Sequence, residues 1–361
     1  MNLELTDDQR MLKDMLDRLV ADTGGVEAHR AAARMPRGWS PDMWREIVEL
    51  GLPAMLLDEA LGGLAGGGTE LMIVGEALGR GLIAAPYLEN GVLAAPILAA
   101  GDGDTAARAL ASLIDGSRSH ALVTEGVTAT GDRLSGAVRN VRGGDSADTL
   151  IVAAGDGIFI VPADAEGLRR EGYPVHGGGR AANLHFDAVA ATRILTGEAA
   201  RKAVAAAEAR RITYLAAMAL GLASHALDTT IDYLNTRVQF GQPLGANQSL
   251  QHRAAEMYVE LEQLRSATIL AACMLDEADQ LERERVMVAV AATVARTTRF
   301  IAQQAVQLHG GIGVTDEHVI GHCFLNLTAI TIALGGVDAN VTRLSDLGGF
   351  VSREPYWEAA R

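Results

Sequence analysis

Two stretches of this chain carry residue types suited to holding an anionic ligand with a flat ring. Arg237-Val238-Gln239-Phe240-Gly241-Gln242-Pro243-Leu244, with Gln248 and Gln251 close behind, interrupts a long helical pattern. A planar guanidinium with several donors suits a diphosphate, and an aromatic neighbour suits a ring face. Taken alone, Arg237 would serve equally well as a surface arginine that ends a helix and pairs with a carboxylate. Gln307-Leu308-His309-Gly310-Gly311-Ile312-Gly313 adds the second signal. Glycines let a backbone come close to a ligand, and a glutamine side chain both donates and accepts. A helix C-cap also uses glycine, but three glycines in four positions after Gln-x-His exceed what a cap needs. The two motifs lie about 70 residues apart, each beside a long amphipathic helix.

The elements that must position them fall into three zones, residues 1–118, 119–197 and 198–361. The first is helical. Thr6-Asp7-Asp8-Gln9 forms a capping box before Leu12, Met15, Leu16 and Leu19, which share one helix face. Trp39-Ser40-Pro41 opens a second helix, with Pro41 in its first turn. The glycine-rich run from Gly62 to Gly68 matches no nucleotide-binding spacing and reads as a flexible connector. From Ser119 short apolar runs bounded by Gly, Asp and Pro predict strands: Ala121–Val123, Thr149–Ala154, Gly157–Val161 and Leu184–Val189. This middle β domain is small. Three long helices are then predicted, Ala203–Leu234, Asn247–Glu277 and Leu281–His309, apolar at helical spacing and packed as a bundle. The fold class is α+β, mainly α.

Bulk properties exclude some functions. A net charge of −14 and the lack of any Lys/Arg-rich run argue against nucleic acid as a partner. Any anionic ligand would need local positive charge against that field. Cys273 and Cys323 read as buried free thiols in a reducing compartment. The start lacks a signal peptide, and no stretch approaches the roughly 18 uncharged apolar residues of a membrane span, so a cytoplasmic protein is expected. His309, His318 and His322 span a glycine-rich turn without carboxylate or thiol support, so no metal site is expected.

Together the two motifs resemble the C-terminal half of acyl-CoA dehydrogenases, over Ile212 to about Val337. Asp58-Glu59-Ala60-Leu61-Gly62-Gly63 and Glu76-Ala77-Leu78-Gly79-Arg80 extend the resemblance, more weakly, into the N-terminal helical domain. The resemblance implies a fold of N-terminal helical domain, middle β domain and C-terminal helical bundle, with FAD as cofactor. In that family the Arg-x-x-Phe-Gly and Gln-x-x-Gly-Gly residues of one subunit hold the flavin of its neighbour. Arg237, Phe240 and Gln248 would then contact the diphosphate and adenosine part, and Gln307, Gly310 and Gly311 the adenosine side. An acyl-CoA substrate and an electron-transfer flavoprotein as acceptor are implied by the family alone.

The departures from the family matter as much. Removing the proton α to a thioester while hydride leaves the β carbon needs a positioned carboxylate. The family's usual glutamate falls on Leu334, and the alternative position, on the helix before Arg-x-x-Phe-Gly, falls on Arg211. Glu208 and Glu317 remain as bases, the first a solvated carboxylate by default, the second a helix cap. The middle domain keeps Thr124-Glu125 but runs through Gly126-Val127-Thr128-Ala129-Thr130-Gly131 to Leu134-Ser135-Gly136, without the family's Gly-Ser-Asp wall. Leu325-Asn326 replaces the family's Arg-Asp pair. The expectation is therefore the shorter, non-catalytic subunit of an α2β2 dehydrogenase, completing the FAD site of a second, catalytic chain. A self-sufficient homotetramer using Glu208, or a flavin-free structural homologue, are the rival readings.

Overall fold

The computed structural model describes residues 4–350. Helices α1 (Asp7–Thr23), α2 (Val26–Ala33), α3 (Pro41–Glu49) and α4 (Gly68–Arg80) come first, then a π-helical segment Leu88–Ala94, α5 (Ala95–Ala99) and α6 (Gly103–Ile114). Thr6 and Gln9 form the expected reciprocal capping box, and Ser40 caps α3 through the Met43 amide. The glycine run is a packed connector, not a flexible one. A Cβ at Gly63 would lie 2.0 Å from the Leu57 carbonyl, and one at Gly68 would lie 2.0 Å from that of Ala272.

Eight strands follow: β1 (His120–Val123), β2 (Val127–Thr130), β3 (Arg133–Arg142), β4 (Thr149–Ala154), β5 (Gly157–Pro162), β6 (Leu168–Pro174), β7 (Arg180–Ala190) and β8 (Thr192–Thr196). They make two four-stranded sheets, β1-β4-β5-β8 and β2-β3-β7-β6, antiparallel except for the β1–β4 pair. Alternation along the strands assigns each face. Leu150, Val152, Phe159 and Val161 pack against Leu134, Leu184 and Phe186 of the second sheet. Ile151, Ile158 and Ile160 on the opposite face join the helical core instead. The first sheet is thus buried on both sides, between a β partner and the helices.

The C-terminal helices are α7 (Gly197–Thr236), α8 (Gln248–Cys273), α9 (Gln280–His309), α10 (Val319–Ala333) and α11 (Gly336–Asp346), with a hairpin of β9 (Val238–Gln239) and β10 (Gln242–Pro243) between α7 and α8. At 40 residues α7 is about 60 Å long. Glycines bring α7 against α4: a Cβ on Gly221 would lie 2.0 Å from the Glu76 carbonyl, and one on Gly79 would lie 2.2 Å from that of Met218.

Three expectations need correction. Cys323 is buried, but Cys273 is exposed near the end of α8. Glu317 does not cap α10; His318 does, its side chain accepting from the Ile320 amide. One run, Val319–Asp346, is long and apolar enough to meet a membrane-span criterion, at mean hydropathy 1.6. It is not one continuous helix here, because Gly335 at φ +83° separates α10 from α11, and α10 buries Ile320, Cys323, Leu327 and Ile330 in the core.

Candidate functional site

A cavity of about 630 Å³ opens between the β domain and the helices. Thr124 and Glu125, just before β2, form one wall, and Gly155, Asp156 and Gly157 of the β4–β5 turn another. The helical side is supplied by the first half of α7, the first half of α9, and Leu334. Leu334 is buried, at 4% exposure, among Ile212, Met287, Val288 and Ala291.

Both positions where a base was sought face this one cavity, and neither holds a proton acceptor. Arg211 grips Glu208 with two hydrogen bonds of 2.7 Å, Nε to Oε2 and Nη2 to Oε1, so both carboxylate oxygens are engaged. Its remaining Nη1 donates to the Ala333 carbonyl at 2.9 Å, tying α7 to the C-terminal end of α10. A cation there also meets the negative end of that helix. Asn340 completes the arrangement by donating Nδ2 to the Leu334 carbonyl at 2.6 Å. The loop Ala333–Gly336 is therefore held from two sides. The alternative base Glu317 lies exposed in the loop before α10 and does not line the cavity.

The β2–β3 connection shows how direct the path from Thr124 to Ser135 is. Thr130 pairs with Arg133 across a tight turn, with Gly131 at φ +61°. Ser135 Oγ accepts from the Ala188 amide on β7, so its hydroxyl serves the sheet.

The Arg-x-x-Phe-Gly motif lies far away. Arg237 caps the C-terminal end of α7, about 39 Å along the helix from Arg211 at 1.5 Å per residue. Phe240 and Gly241 turn the β9–β10 hairpin with φ of +50° and +81°, the positive pair that a type I′ turn requires. Phenylalanine rarely adopts that conformation, and this ring is fully exposed at 101%. Gln248, the first residue of α8, and Arg237 are exposed as well.

At the end of α9, Gln307, Gly310 and Gly311 are exposed, and a Cβ added to either glycine would meet nothing within 4 Å. Gly310 has φ +63°. The backbone is open to an approaching molecule, as the motif requires. His309 joins the two motifs beneath the surface. Its ring stacks on Tyr233 of α7 with centroids 4.5 Å apart, and Nδ1 donates to the Ala305 carbonyl at 2.8 Å. A carbonyl only accepts, so Nδ1 carries the proton; Nε2 is buried without a partner. Burial holds the imidazole pKa below its ordinary value. His318 lies 4.9 Å from His309, whereas His322 turns to the Asp316 carbonyl. Among the described residues no group of three or more His, Cys, Asp or Glu is placed to hold a metal ion.

The structure thus gathers Glu208, Arg211 and Leu334 at one place, and Arg237, Phe240, Gln307, Gly310 and Gly311 on exposed surface elsewhere. Sequence reasoning missed Arg283, Asn340 and Arg343 as cavity residues. They come from helix starts and an α11 face that carry no local motif, and only the tertiary contact reveals them.

Comparisons with known proteins identify the domains. Residues 6–117 match the N-terminal domain of acyl-CoA dehydrogenases and residues 200–344 the C-terminal domain. The acyl-CoA dehydrogenase FadE27 of Mycobacterium tuberculosis is 28% identical, covering 95% of this chain and 98% of its own. IpdE2 of the same organism, also an acyl-CoA dehydrogenase, is 32% identical over 86% of this chain and 88% of its own. Among solved structures, a chain of the steroid ACAD Tcur3481-Tcur3483 superposes with a TM-score of 0.86 at 31% identity, covering 94% of this chain and 97% of that one. This chain belongs to the acyl-CoA dehydrogenase family, oxidoreductases that act on acyl-CoA.

Proposed function

We propose that this chain is the non-catalytic subunit of a FAD-dependent acyl-CoA dehydrogenase built from two different chains as α2β2. The observation that carries the reading is the chemistry of the cavity. Leu334 has no titratable group, Arg211 presents donors only, and Glu208 has both oxygens tied to Arg211. Nothing at the positions from which the family draws its base takes a proton.

The contact surface supports the other half of the reading. Arg237 and Gln307 present donors, Gly310 and Gly311 leave open backbone, and Phe240 offers an uncovered ring, a set that fits an anionic dinucleotide with a flat base. Arg237, Phe240 and Gln248 would hold the diphosphate and adenosine part, and Gln307, Gly310 and Gly311 the adenosine side. About 39 Å of α7 separates this surface from the chain's own cavity, so the flavin it serves is a neighbour's. Bound there, FAD would supply acceptance of the β-carbon hydride, and the α proton would pass to a carboxylate of the partner chain. This chain's part is to bind and orient.

The Tcur3481-Tcur3483 relative is named as a steroid enzyme of two components, which favours a bulky ring acyl-CoA over a linear one here. An electron-transfer flavoprotein as acceptor and a cytoplasmic location belong to the same proposal.

The test is to purify the chain alone and with the partner that copurifies with it from its native host. The expected result is a colourless chain that enters a yellow assembly with about half a flavin per polypeptide. Stoichiometric flavin and acyl-CoA oxidation by the chain alone would overturn the proposal and point to Glu208. A stable assembly whose flavin content ignores Arg237→Ala and Gln307→Ala would leave a purely structural role.

A further inference from the structure

The two halves of the exposed contact surface come from elements far apart in sequence, and one buried imidazole lies beneath both. Arg237 is placed by the last turn of α7, where its amide donates to the Tyr233 carbonyl at 2.8 Å. Tyr233 in turn lays its ring on His309, with centroids 4.5 Å apart and planes 25° apart. His309 stands in α9 between Gln307 and Gly310, at 3% exposure. The short helical turn Gly310–Val314 folds back onto it, since a Cβ on Gly313 would lie 3.0 Å from the His309 Cβ. His318, whose side chain caps α10, adds a third ring with its centroid 4.9 Å away. The ends of α7 and α9 and the start of α10 therefore meet at one side chain.

The protonation of that ring is tightly constrained. Nδ1 donates to the Ala305 carbonyl, so in the neutral ring Nε2 is an acceptor, buried and without a partner among the described residues. A second proton, on Nε2, would make a buried N–H with nothing to receive it, which is a costly group. The titratable groups that face the ring are Tyr233 from α7 and His318 from the start of α10, and no carboxylate is among its charged neighbours. Burial outweighs the support of the Ala305 carbonyl and holds the imidazole below its ordinary pKa. The ring that joins the three elements is therefore neutral at neutral pH, and acid places an uncompensated charge at their junction.

We propose that neutral His309 is the positioning residue of the contact surface: its ring keys the end of α7, which carries Arg237 and Phe240, to the Gln307–Gly311 backbone, so that both halves reach one ligand in fixed register. His309 touches no ligand itself and acts through Arg237, Gln307 and Gly310. The inference rests on the reading of this face as the place that holds a neighbour's FAD. Its consequence is that acid loosens the surface at this ring before the fold as a whole gives way.

The experiment uses the assembled complex, with flavin absorbance per assembly and hydrogen exchange of residues 233–241 and 307–314 as its readouts. Wild type is compared with His309→Ala and His309→Phe. At neutral pH His309→Ala is expected to weaken flavin retention about tenfold, with faster exchange in both segments together, because the ring between them is gone. His309→Phe keeps the ring and loses both nitrogens, so it should hold flavin as wild type does. As pH falls from about 7 to about 5, past the ordinary imidazole pKa of about 6.5, wild type should lose flavin and loosen in both segments while His309→Phe does neither. A ring with only a packing role would give the two proteins the same acid response, and that outcome would overturn the inference. Unchanged exchange or unchanged flavin retention in His309→Ala would overturn it as well. A wild-type assembly without flavin would sink the subunit reading instead, and the exchange of the two segments would still decide whether His309 couples them.

Discussion

The two ends of α7 solve opposite problems. At the cavity end Arg211 satisfies Glu208 and the Ala333 carbonyl, and Asn340 holds the next loop residue, so the place where the family does chemistry is closed on itself. At the far end Phe240 is fully exposed in an unfavourable backbone conformation, and Gly310 and Gly311 present bare backbone. Local strain and an uncovered aromatic persist where surrounding structure or a partner makes up for them. The contrast teaches that the outward face is left open to an approaching molecule, while at the cavity end neither Leu334 nor Arg211 offers a carboxylate.

The largest effect is expected where the two ends are held in fixed relation. Gly221 lies between Arg211 and Arg237 and touches the Glu76 carbonyl of α4. Gly221→Ala would force the helices apart and cost about 3 kcal/mol by overpacking, read as a drop in the denaturation midpoint. The flavin content of the assembly should fall with it, because the contact face moves relative to the body. A Gly221→Ala protein of unchanged stability would mean that the two ends are not coupled through α7.

Next comes Gly310→Val, which breaks only the outward end. Its φ of +63° strains any β-branched side chain, by about 1–3 kcal/mol. Its Cβ meets no atom of this chain, so the fold survives. The expected outcome is a folded chain that still pairs but retains flavin poorly, measured as absorbance per assembly. Full flavin retention would remove the glycine loop from the contact surface.

Acid sharpens the comparison differently, since it acts on buried imidazoles outside the cavity. Burial pushes His120 down to about 4, and His29, His225, His309 and His318 are also lowered, each mainly by burial. Above the unfolded pKa of about 6.5 both states are neutral and stability does not depend on these groups. Below it the unfolded chain binds the proton first, so stability is lost as pH falls from about 6.5 towards 4. His120 alone contributes up to about 3 kcal/mol across that window. Melting temperatures between pH 7 and pH 4.5 should show the decline, and His120→Gln should flatten it. An unchanged slope in that variant would place the titration elsewhere.

Much of this architecture is legible in the order of the residues. Apolar periodicity locates α7, α8 and α9, although α7 runs from Gly197 to Thr236 instead of Ala203 to Leu234, because alanine-rich ends lack an amphipathic signal. The central strands β4 and β5 are buried on both faces and read as continuous apolar runs. β2, β3 and β6 carry no such signal, since they are mostly exposed and rich in Thr, Arg and Gly. The motif residues stand out because their spacing is local. Arg283, Asn340 and Arg343 do not, because they meet only where separate helices border the cavity.

The smallest expected effect concerns the cavity itself. Leu334→Glu restores a carboxylate at the family's position, yet it should yield no measurable dehydrogenation by this chain. The new side chain would enter an apolar pocket beside Met287 and Val288, with its loop still fixed by Arg211 and Asn340. Arg211 would attract it, and an ion pair there would engage the base just as Glu208 is engaged now. The Thr124–Ser135 path also still lacks the wall that orients a thioester against a flavin. Turnover with an artificial acceptor, assayed in Leu334→Glu and in Leu334→Glu with Arg211→Ala, separates the two causes. Activity in the double variant alone would show that Arg211 is the lock; activity in the single variant would show that the cavity end had kept everything but its base.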